Sequence, residues 1–101
     1  MILEAALLLV KPTEIAAFEA DFIIASNVIS QSKGYIEHEL QKCLEVENKY
    51  LLMIKWQTLE DHTVGFRNSE LFEQWKALVH PYFETKPTVE HFEINYKHQP
   101  K

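Results

Sequence analysis

Residues 50–56, YLLMIKW, form the stretch that decides the fold. Successive side chains of a β-strand point to opposite faces of its sheet. One face of this strand carries four apolar residues: Tyr50, Leu52, Ile54 and Trp56. The other face carries Leu51 and Met53, and only Lys55 interrupts the apolar run. A strand that is apolar on both faces is typical of the centre of a sheet that is covered on both sides.

The rest of the chain supplies three further strands. The pattern predicts them at residues 2–10, after Gly34 and at 88–96, and it extends the central strand to 49–57. After Gly34, the residues Ile36, His38 and Leu40 alternate with glutamate and glutamine, which is typical of a strand with one exposed face. The last strand alternates in the same way. Its apolar residues are Phe92, Ile94 and Tyr96, and the residues between them and before them are His91, Glu93 and Asn95.

A first helix is predicted over residues 13–33. Pro12 suits the first turn of a helix, which has no partner for its N–H groups, and Gly34 is a usual helix stop. Spacings of three and four define one apolar face: Ile15, Phe18, Phe22, Ala25 and Ile29.

A second helical region follows the apolar strand. Thr58 and Asp61 can cap a helix that starts at Leu59, and Gly65 predicts a bend. Ser69 can then cap a second segment. Its expected buried residues are Phe72, Trp75, either Leu78 or Val79, and Tyr82.

The element order is therefore β-α-β-β-α-β, which suits an α+β, ferredoxin-like unit with an antiparallel sheet in the strand order 4-1-3-2. Strands 1 and 3 are the near-continuous apolar runs expected of central strands, whereas strands 2 and 4 alternate with glutamates as edges do. We assign residues 1–97 to this single domain and residues 98–101 to a polar C-terminal tail.

In such a unit both helices cover one face of the sheet, because the crossovers are right-handed. The other face still presents apolar side chains of strands 1 and 3. These are Leu51 and Met53 with either Ala6, Leu8 and Val10 or the alternate set of strand 1. Leaving about five such side chains in water forfeits on the order of 10 kcal/mol, comparable to the whole stability of a small domain. We therefore expect a homodimer packed sheet face to sheet face.

Composition argues against several functions. The net charge of −5 disfavours nucleic acid or an anionic membrane as a partner, since both attract basic surfaces. The two glycines provide no glycine-rich loop for a phosphate or dinucleotide. The single cysteine, Cys43, cannot form an internal disulfide, which favours a cytoplasmic location. No secretory signal and no membrane helix, which needs ~20 apolar residues, are predicted.

The sequence resembles the antibiotic biosynthesis monooxygenase-like family of dimeric α+β barrels over nearly its whole length. These pieces carry the resemblance: the Gly34 opening of strand 2, the apolar strand ending in Trp56, the acidic linker 59–61, the helix with His62 and Phe66, and the run SELFEQW at 69–75. The resemblance implies a ferredoxin-like subunit, a barrel formed by two sheets, and a ligand pocket between sheet and helices.

Members of the family differ in chemistry, so the fold does not fix the reaction. Some oxidise quinols or polyketide-like phenols with molecular oxygen and no cofactor, whereas others degrade haem or isomerise small metabolites. Haem-degrading relatives carry a histidine where this chain has Lys76. The resemblance therefore implies a small cofactor-independent monooxygenase that acts on a hydroxylated aromatic, quinol-type substrate. The alternatives are a non-catalytic dimeric protein that binds a small ligand, and an isomerase.

The candidate site lies at the end of the central strand. The helix that follows Trp56 must turn back across the strand end, which brings His62 near the indole, while the neighbouring strand 2 can supply His38. We predict His62, Trp56 and His38 as the catalytic group, with His62 as general base because the pKa of histidine lies near neutrality. Three further residues are predicted to bind the substrate: Phe66, Ile54 and Trp75.

Each catalytic candidate also has an ordinary structural interpretation. Trp56 could be a packed core residue, His62 a solvated surface residue, and His38 a buried histidine with a satisfied hydrogen bond. Many relatives carry a histidine where this chain has Phe66, so His62, one helical turn earlier, would have to serve instead.

No metal site is predicted. His38 and His91 fall on opposite edge strands, about 14 Å apart at three inter-strand steps of ~4.8 Å. Metal–nitrogen bonds of ~2 Å cannot span that distance.

Overall fold

A computed structural model describes all 101 residues. The elements are β1 (Ile2–Leu9), α1 (Ile15–Ile29), β2 (Tyr35–Lys42), β3 (Lys49–Trp56), a π-type helix (Asp61–Phe66), α2 (Glu70–Val79) and β4 (Thr88–Phe92). Short 3-10 turns at Pro12–Glu14 and His80–Tyr82 precede α1 and follow α2. No helix combines the length and the apolarity needed to cross a bilayer.

The four strands form one antiparallel sheet in the order β2-β3-β1-β4, which confirms the predicted ferredoxin-like topology. The pairing of β1 with β3 places Ala6 opposite Leu52 and Leu8 opposite Tyr50, and all four are buried beneath the helices. The opposite face of the sheet is called the outer face here. The central strands contribute these residues to it: Leu3, Ala5, Leu7, Leu9, Leu51 and Met53. Leu51 and Met53 thus share a face with the alternate set of β1 and not with Ala6, Leu8 and Val10.

Both helices turn the predicted faces inward, although Ile15, Phe72 and Tyr82 are only half-buried. In α1 the buried residues are Phe18, Phe22, Ala25 and Ile29. In α2, Trp75 and Val79 are buried, which decides between Leu78 and Val79. Ser69 caps α2 as predicted, because its Oγ accepts the backbone N–H of Phe72 at 3.3 Å.

The ends of α1 differ from the prediction of residues 13–33. The chain from Pro12 makes one 3-10 turn before α1 begins. After Ile29 the N–H groups of Gln31 and Ser32 bond to carbonyls three residues earlier, which tightens and ends the helix before Gly34.

Both edge strands, β2 and β4, differ from what the alternation in the sequence predicts. In β2 a bulge at Ile36 turns that side chain outward and leaves Tyr35 on the helix side with His38 and Leu40. β4 ends at Phe92 and does not reach Tyr96. Phe92 pairs with Leu3, so β1 has almost no residues left to extend the ladder, and Ile94 and Tyr96 are exposed.

Gly34 fixes how the second helical region meets the sheet. Its φ of +84° is a conformation that favours glycine, and a Cβ at this position would overlap the side chain of Asp61. The Gly34 carbonyl also accepts the N–H of Gln57 at 2.8 Å. The end of β3 and the start of the π-type helix are thereby held against β2, which sets the position of His62.

Candidate functional site

A cavity of about 300 Å³ lies between the inner face of the sheet and the helices. Its apolar walls include Leu52 and Ile54 from β3, Phe22 from α1, Phe66 from the π-type helix and Trp75 from α2. Cavities of this size are at the lower end of the range that binds small organic ligands. The cavity therefore suits a small, mainly apolar molecule.

The floor of the cavity holds a buried carboxylate, Glu4, on the central strand β1. Its side chain interrupts the apolar inner face, and the residue is only 7% exposed. The indole N–H of Trp56 donates a 2.9 Å hydrogen bond to Glu4 Oε1, and His62 Nε2 lies 3.3 Å from the same oxygen. Burial raises the pKa of Glu4 to about 7, although the Trp56 hydrogen bond and the charge of Arg67 both oppose the rise.

His62 lies between Glu4 and a second histidine, His91 of β4. Its ring stacks on Trp56 with centroids 5.4 Å apart and planes 21° apart, and its Nδ1 is 2.8 Å from His91 Nε2. Burial, helped by the charges of Arg67 and His91, lowers the pKa of His62 to about 4. His62 is therefore neutral at pH 7, and its contact with Glu4 is not an ion pair there.

The π-type helix is what buries both His62 and Phe66. Its wide turn is closed by the backbone N–H of Arg67, which donates to the carbonyl of His62 five residues earlier at 3.1 Å. Both rings pack near Trp56, with centroid distances of 5.4 Å and 5.5 Å. The local backbone thus aims a histidine at the cavity floor and a phenylalanine at its wall.

The hydrogen bonds around Glu4 engage only one of its two oxygens. Oε1 accepts from the Trp56 indole and lies 3.3 Å from His62 Nε2, which is a close contact and not a hydrogen bond. His62 Nδ1 and His91 Nε2 share a hydrogen bond whose direction depends on the tautomers of the two rings. Glu4 Oε2 has no hydrogen-bond partner in the protein. Every buried side-chain oxygen of the structure has such a partner, so Oε2 is not fully buried. Oε2 therefore opens into the cavity, and it carries the proton when Glu4 is protonated.

The residues predicted to bind substrate all meet at this cavity, and His62 does as well. Phe66, Ile54 and Trp75 line its walls, and His62 lines its floor. Trp56 is fully buried and lies behind Glu4 and His62, outside the cavity wall. Its N–H is engaged by Glu4, so it holds the carboxylate and does not stack on a ligand.

The structure does not bring His38 into the cavity. His38 lies on the edge strand β2, where its Nε2 is 2.9 Å from Ser26 Oγ and its Nδ1 is hydrogen-bonded to the Tyr35 hydroxyl. The ring of Phe22, which lines the cavity, packs edge-on against His38. His38 is thus a half-buried histidine with both ring nitrogens hydrogen-bonded, close to the structural interpretation that the sequence also allowed.

Sequence reasoning missed Glu4, His91 and Arg67. Glu4 is the only charged residue in the apolar run of strand 1, ILEAALLLV, and that signal was available. Arg67 is the only arginine of the chain and directly follows Phe66. His91 could not be found without the sheet register, because it is the antiparallel pairing with Glu4 that brings it to the site.

No group of three or more His, Cys, Asp or Glu side chains has an arrangement that could hold a metal ion. Glu4 and His91 contact different nitrogens of His62, and these nitrogens point away from each other. The three groups therefore form a chain of successive contacts and do not converge on one point.

Comparison with known proteins identifies relatives along the whole fold. The family model "Antibiotic biosynthesis monooxygenase" matches residues 1–78. YczJ of Bacillus subtilis, an uncharacterised protein, is 50% identical over 93 residues, which cover 92% of this chain and 98% of YczJ. A solved structure from Bordetella bronchiseptica, described as a candidate antibiotic biosynthesis monooxygenase, is 33% identical with a TM-score of 0.90 and covers 94% of this chain and 97% of that one. A variant of SnoaB, a cofactor-independent oxygenase of Streptomyces nogalater, shares the fold at 14% identity with a TM-score of 0.78, over 95% of this chain and 94% of that one.

Proposed function

The chain belongs to the antibiotic biosynthesis monooxygenase family, and from this premise we propose that it is a cofactor-independent monooxygenase of a hydroxylated aromatic, quinol-type substrate. The observation that carries the proposal is Glu4 Oε2, an oxygen without a protein partner that opens into an apolar cavity. The fold is shared with a protein described as a cofactor-independent oxygenase, which supports the same reaction class.

Glu4 is the proposed general base. A substrate hydroxyl that hydrogen-bonds to Oε2 transfers its proton there, and a base whose pKa of about 7 lies near the working pH is well suited to this step. His62, with a pKa of about 4, is too weak a base, so its proposed role changes from base to positioning residue. Together with Trp56 it fixes Oε1, which leaves Oε2 directed at the ligand.

The deprotonated substrate supplies the electrons for oxygen activation. It transfers one electron to O₂, and the resulting substrate radical and superoxide combine through a new C–O bond at a carbon that bears a hydrogen. Glu4 returns its proton to the peroxide, the O–O bond and the C–H bond of that carbon break, and water departs to leave a carbonyl. The substrate thus loses two hydrogens and gains one oxygen atom, and the second oxygen atom leaves in water. A cavity that excludes bulk water strengthens the electrostatic interactions that favour the phenolate.

We further propose that the protein acts as a homodimer joined through the outer face of the sheet. Leu7 on that face is 52% exposed and Phe92 of β4 is 51% exposed, and no remaining segment of the chain covers them. A second copy offers the same apolar face, so the two sheets can bury each other. Light scattering should then give about twice 11.9 kDa.

Oxygen consumption by the purified protein, measured with a panel of quinols and phenols, tests the proposed reaction. We expect uptake with at least one quinol and a loss of roughly 10²-fold or more in Glu4→Gln. Tight binding without any oxygen uptake would instead favour the alternative of a small-ligand-binding protein. The cytoplasmic location inferred from the lone Cys43 stays a prediction.

A further inference from the structure

The lining of the cavity carries an excess of positive charge. Of the 15 acidic residues in the chain, only Glu4 lines the cavity, whereas two cations do, Arg67 and Lys86. The chain as a whole has the opposite balance, with a net charge of −5. A mainly apolar cavity with surplus cations is suited to a ligand that combines an aromatic body with a negative group.

Arg67 has no carboxylate partner in the protein. The one ion pair of the structure joins Lys42 to Glu19, and the close contact between Glu4 and the neutral His62 does not involve Arg67 either. The charge of Arg67 nevertheless acts on Glu4, His62 and His91, in each case lowering the pKa. The guanidinium therefore lies at the same end of the cavity as the carboxylate that faces the ligand.

We propose that the ligand is an aromatic acid, a hydroxylated ring that also carries one carboxylate, and that Arg67 binds this carboxylate while the ring hydroxyl meets Glu4 Oε2. This inference rests on the proposed function, because it names the substrate class of the same cavity. The planar guanidinium matches a planar carboxylate with two parallel hydrogen bonds. Because Arg67 is exposed, a carboxylate bound to it keeps part of its contact with water and loses little hydration.

Position favours Arg67 over Lys86 as the partner of the carboxylate. Thr88 pairs with Leu7 at one end of the β1–β4 pair, and Lys86 lies beyond that end. Glu4 pairs with His91 near the other end. The three strand positions between Glu4 and Leu7 alone span about 10 Å. When the hydroxyl of a one- or two-ring acid reaches Glu4, a carboxylate on the neighbouring ring position therefore lies nearer to Arg67 than to Lys86.

Equilibrium binding of three matched ligands tests the proposal without any turnover. The ligands are 1-hydroxy-2-naphthoate, 1-naphthol, which lacks the carboxylate, and 2-naphthoate, which lacks the hydroxyl. Calorimetry at mildly acidic pH, where Glu4 is mainly protonated, measures each dissociation constant. The wild type should bind 1-hydroxy-2-naphthoate roughly tenfold or more tightly than 1-naphthol, as a hydrogen bond to a charged group does. The wild type should also bind 1-hydroxy-2-naphthoate more tightly than 2-naphthoate, which has no hydroxyl to form a hydrogen bond with Oε2.

Two charge-removing variants assign the preference to a residue. Arg67→Gln should abolish the preference for the carboxylate while leaving 1-naphthol binding within about twofold, whereas Lys86→Gln, the matched control, should keep most of the preference. Equal binding of acid and naphthol by the wild type would overturn the proposal. So would a preference that survives in Arg67→Gln or is lost only in Lys86→Gln.

The two proposals fail in distinguishable ways. Acid-selective binding without oxygen uptake by any quinol would retain the aromatic-acid site and reject the monooxygenase. Oxygen uptake that is equally fast with neutral and carboxylated quinols, together with equal binding, would retain the monooxygenase and reject the aromatic-acid site.

Discussion

Replacing Glu4 by glutamine should make the stability of the protein depend on pH in a new way. The pKa of Glu4 rises from 4.5 to about 7 on folding, a difference of about 2.5 units that corresponds to about 3 kcal/mol at 1.36 kcal/mol per unit. Because the folded-state pKa is the higher one, the stability that Glu4 contributes is fully present below pH 4.5 and is lost as the pH rises through 7. Glutamine keeps the acceptor for Trp56 and does not titrate. Glu4→Gln should therefore gain about 3 kcal/mol relative to the wild type between pH 4.5 and pH 8.

His62 gives the opposite trend and makes the comparison sharper. Its pKa falls from 6.5 to about 4 on folding, so its contribution is present above pH 6.5 and is lost as the pH falls through 4. In the wild type the two trends oppose each other between about pH 4.5 and 6.5. In Glu4→Gln nothing from Glu4 opposes the His62 trend, and the lowered pKa values of His38, His80 and His91 act in the same direction, so the variant should lose stability on acidification over that interval.

Urea unfolding followed by the fluorescence of Trp56 and Trp75 measures both proteins from pH 5 to pH 8 at one protein concentration. The difference between the two unfolding free energies isolates Glu4, since all other groups titrate in both. Glu84→Gln, which removes a charge from an exposed loop, is the matched control for the loss of one carboxylate. A flat difference for Glu4→Gln would show that the pKa of Glu4 is not raised, and the assignment of Glu4 as a base near neutrality would be lost.

Three further predictions concern the interface, the turn and the cofactor. Leu7→Lys places a charge at the middle of the outer face and should shift light scattering from about twice 11.9 kDa to the monomer mass, with the far-UV circular dichroism retained; a dimer that persists would contradict the proposed interface. Gly34→Ala should destabilise the fold by at least about 1 kcal/mol in urea, because alanine is strained at φ +84° and its Cβ would overlap Asp61; an unchanged midpoint would contradict this geometry. The purified protein should lack visible absorbance and stoichiometric metal by elemental analysis, and a bound flavin or haem at one per chain would refute cofactor independence.

Hydrophobic patterning predicted the element order and the strand order, because the apolar runs of strands 1 and 3 can be satisfied only at the centre of a sheet. Patterning could not fix which face of β1 lies beneath the helices, since both faces are apolar and the choice depends on pairing with β3. The bulge at Ile36 and the early end of β4 were likewise invisible, because each is set by the neighbouring strand.

The candidate site was predicted in part for the same reason. His62, Phe66, Ile54 and Trp75 follow from chain direction near the end of β3, and the structure brings them to one cavity. His38 was placed by strand adjacency alone, which does not show that the ring of Phe22 packs between it and the cavity. Glu4 interrupts an apolar run in the sequence, but only the sheet register shows that it lies on the inner face and is buried.

The energetic cost of Glu4 is itself an argument for a role in function. At pH 8 its ionisation in the folded state costs about 3 kcal/mol, a large fraction of the 5–15 kcal/mol that stabilises a typical domain. A leucine at this position would match the other inner-face residues of β1, Ala6 and Leu8, and buried ionic groups are often replaced by apolar ones without loss of stability. Trp56 and His62 contact Oε1, His91 contacts His62, and none of the three donates a hydrogen bond to Oε2. The protein engages one oxygen of Glu4 and leaves the other open to the cavity, which is the arrangement expected of a carboxylate that meets a ligand there.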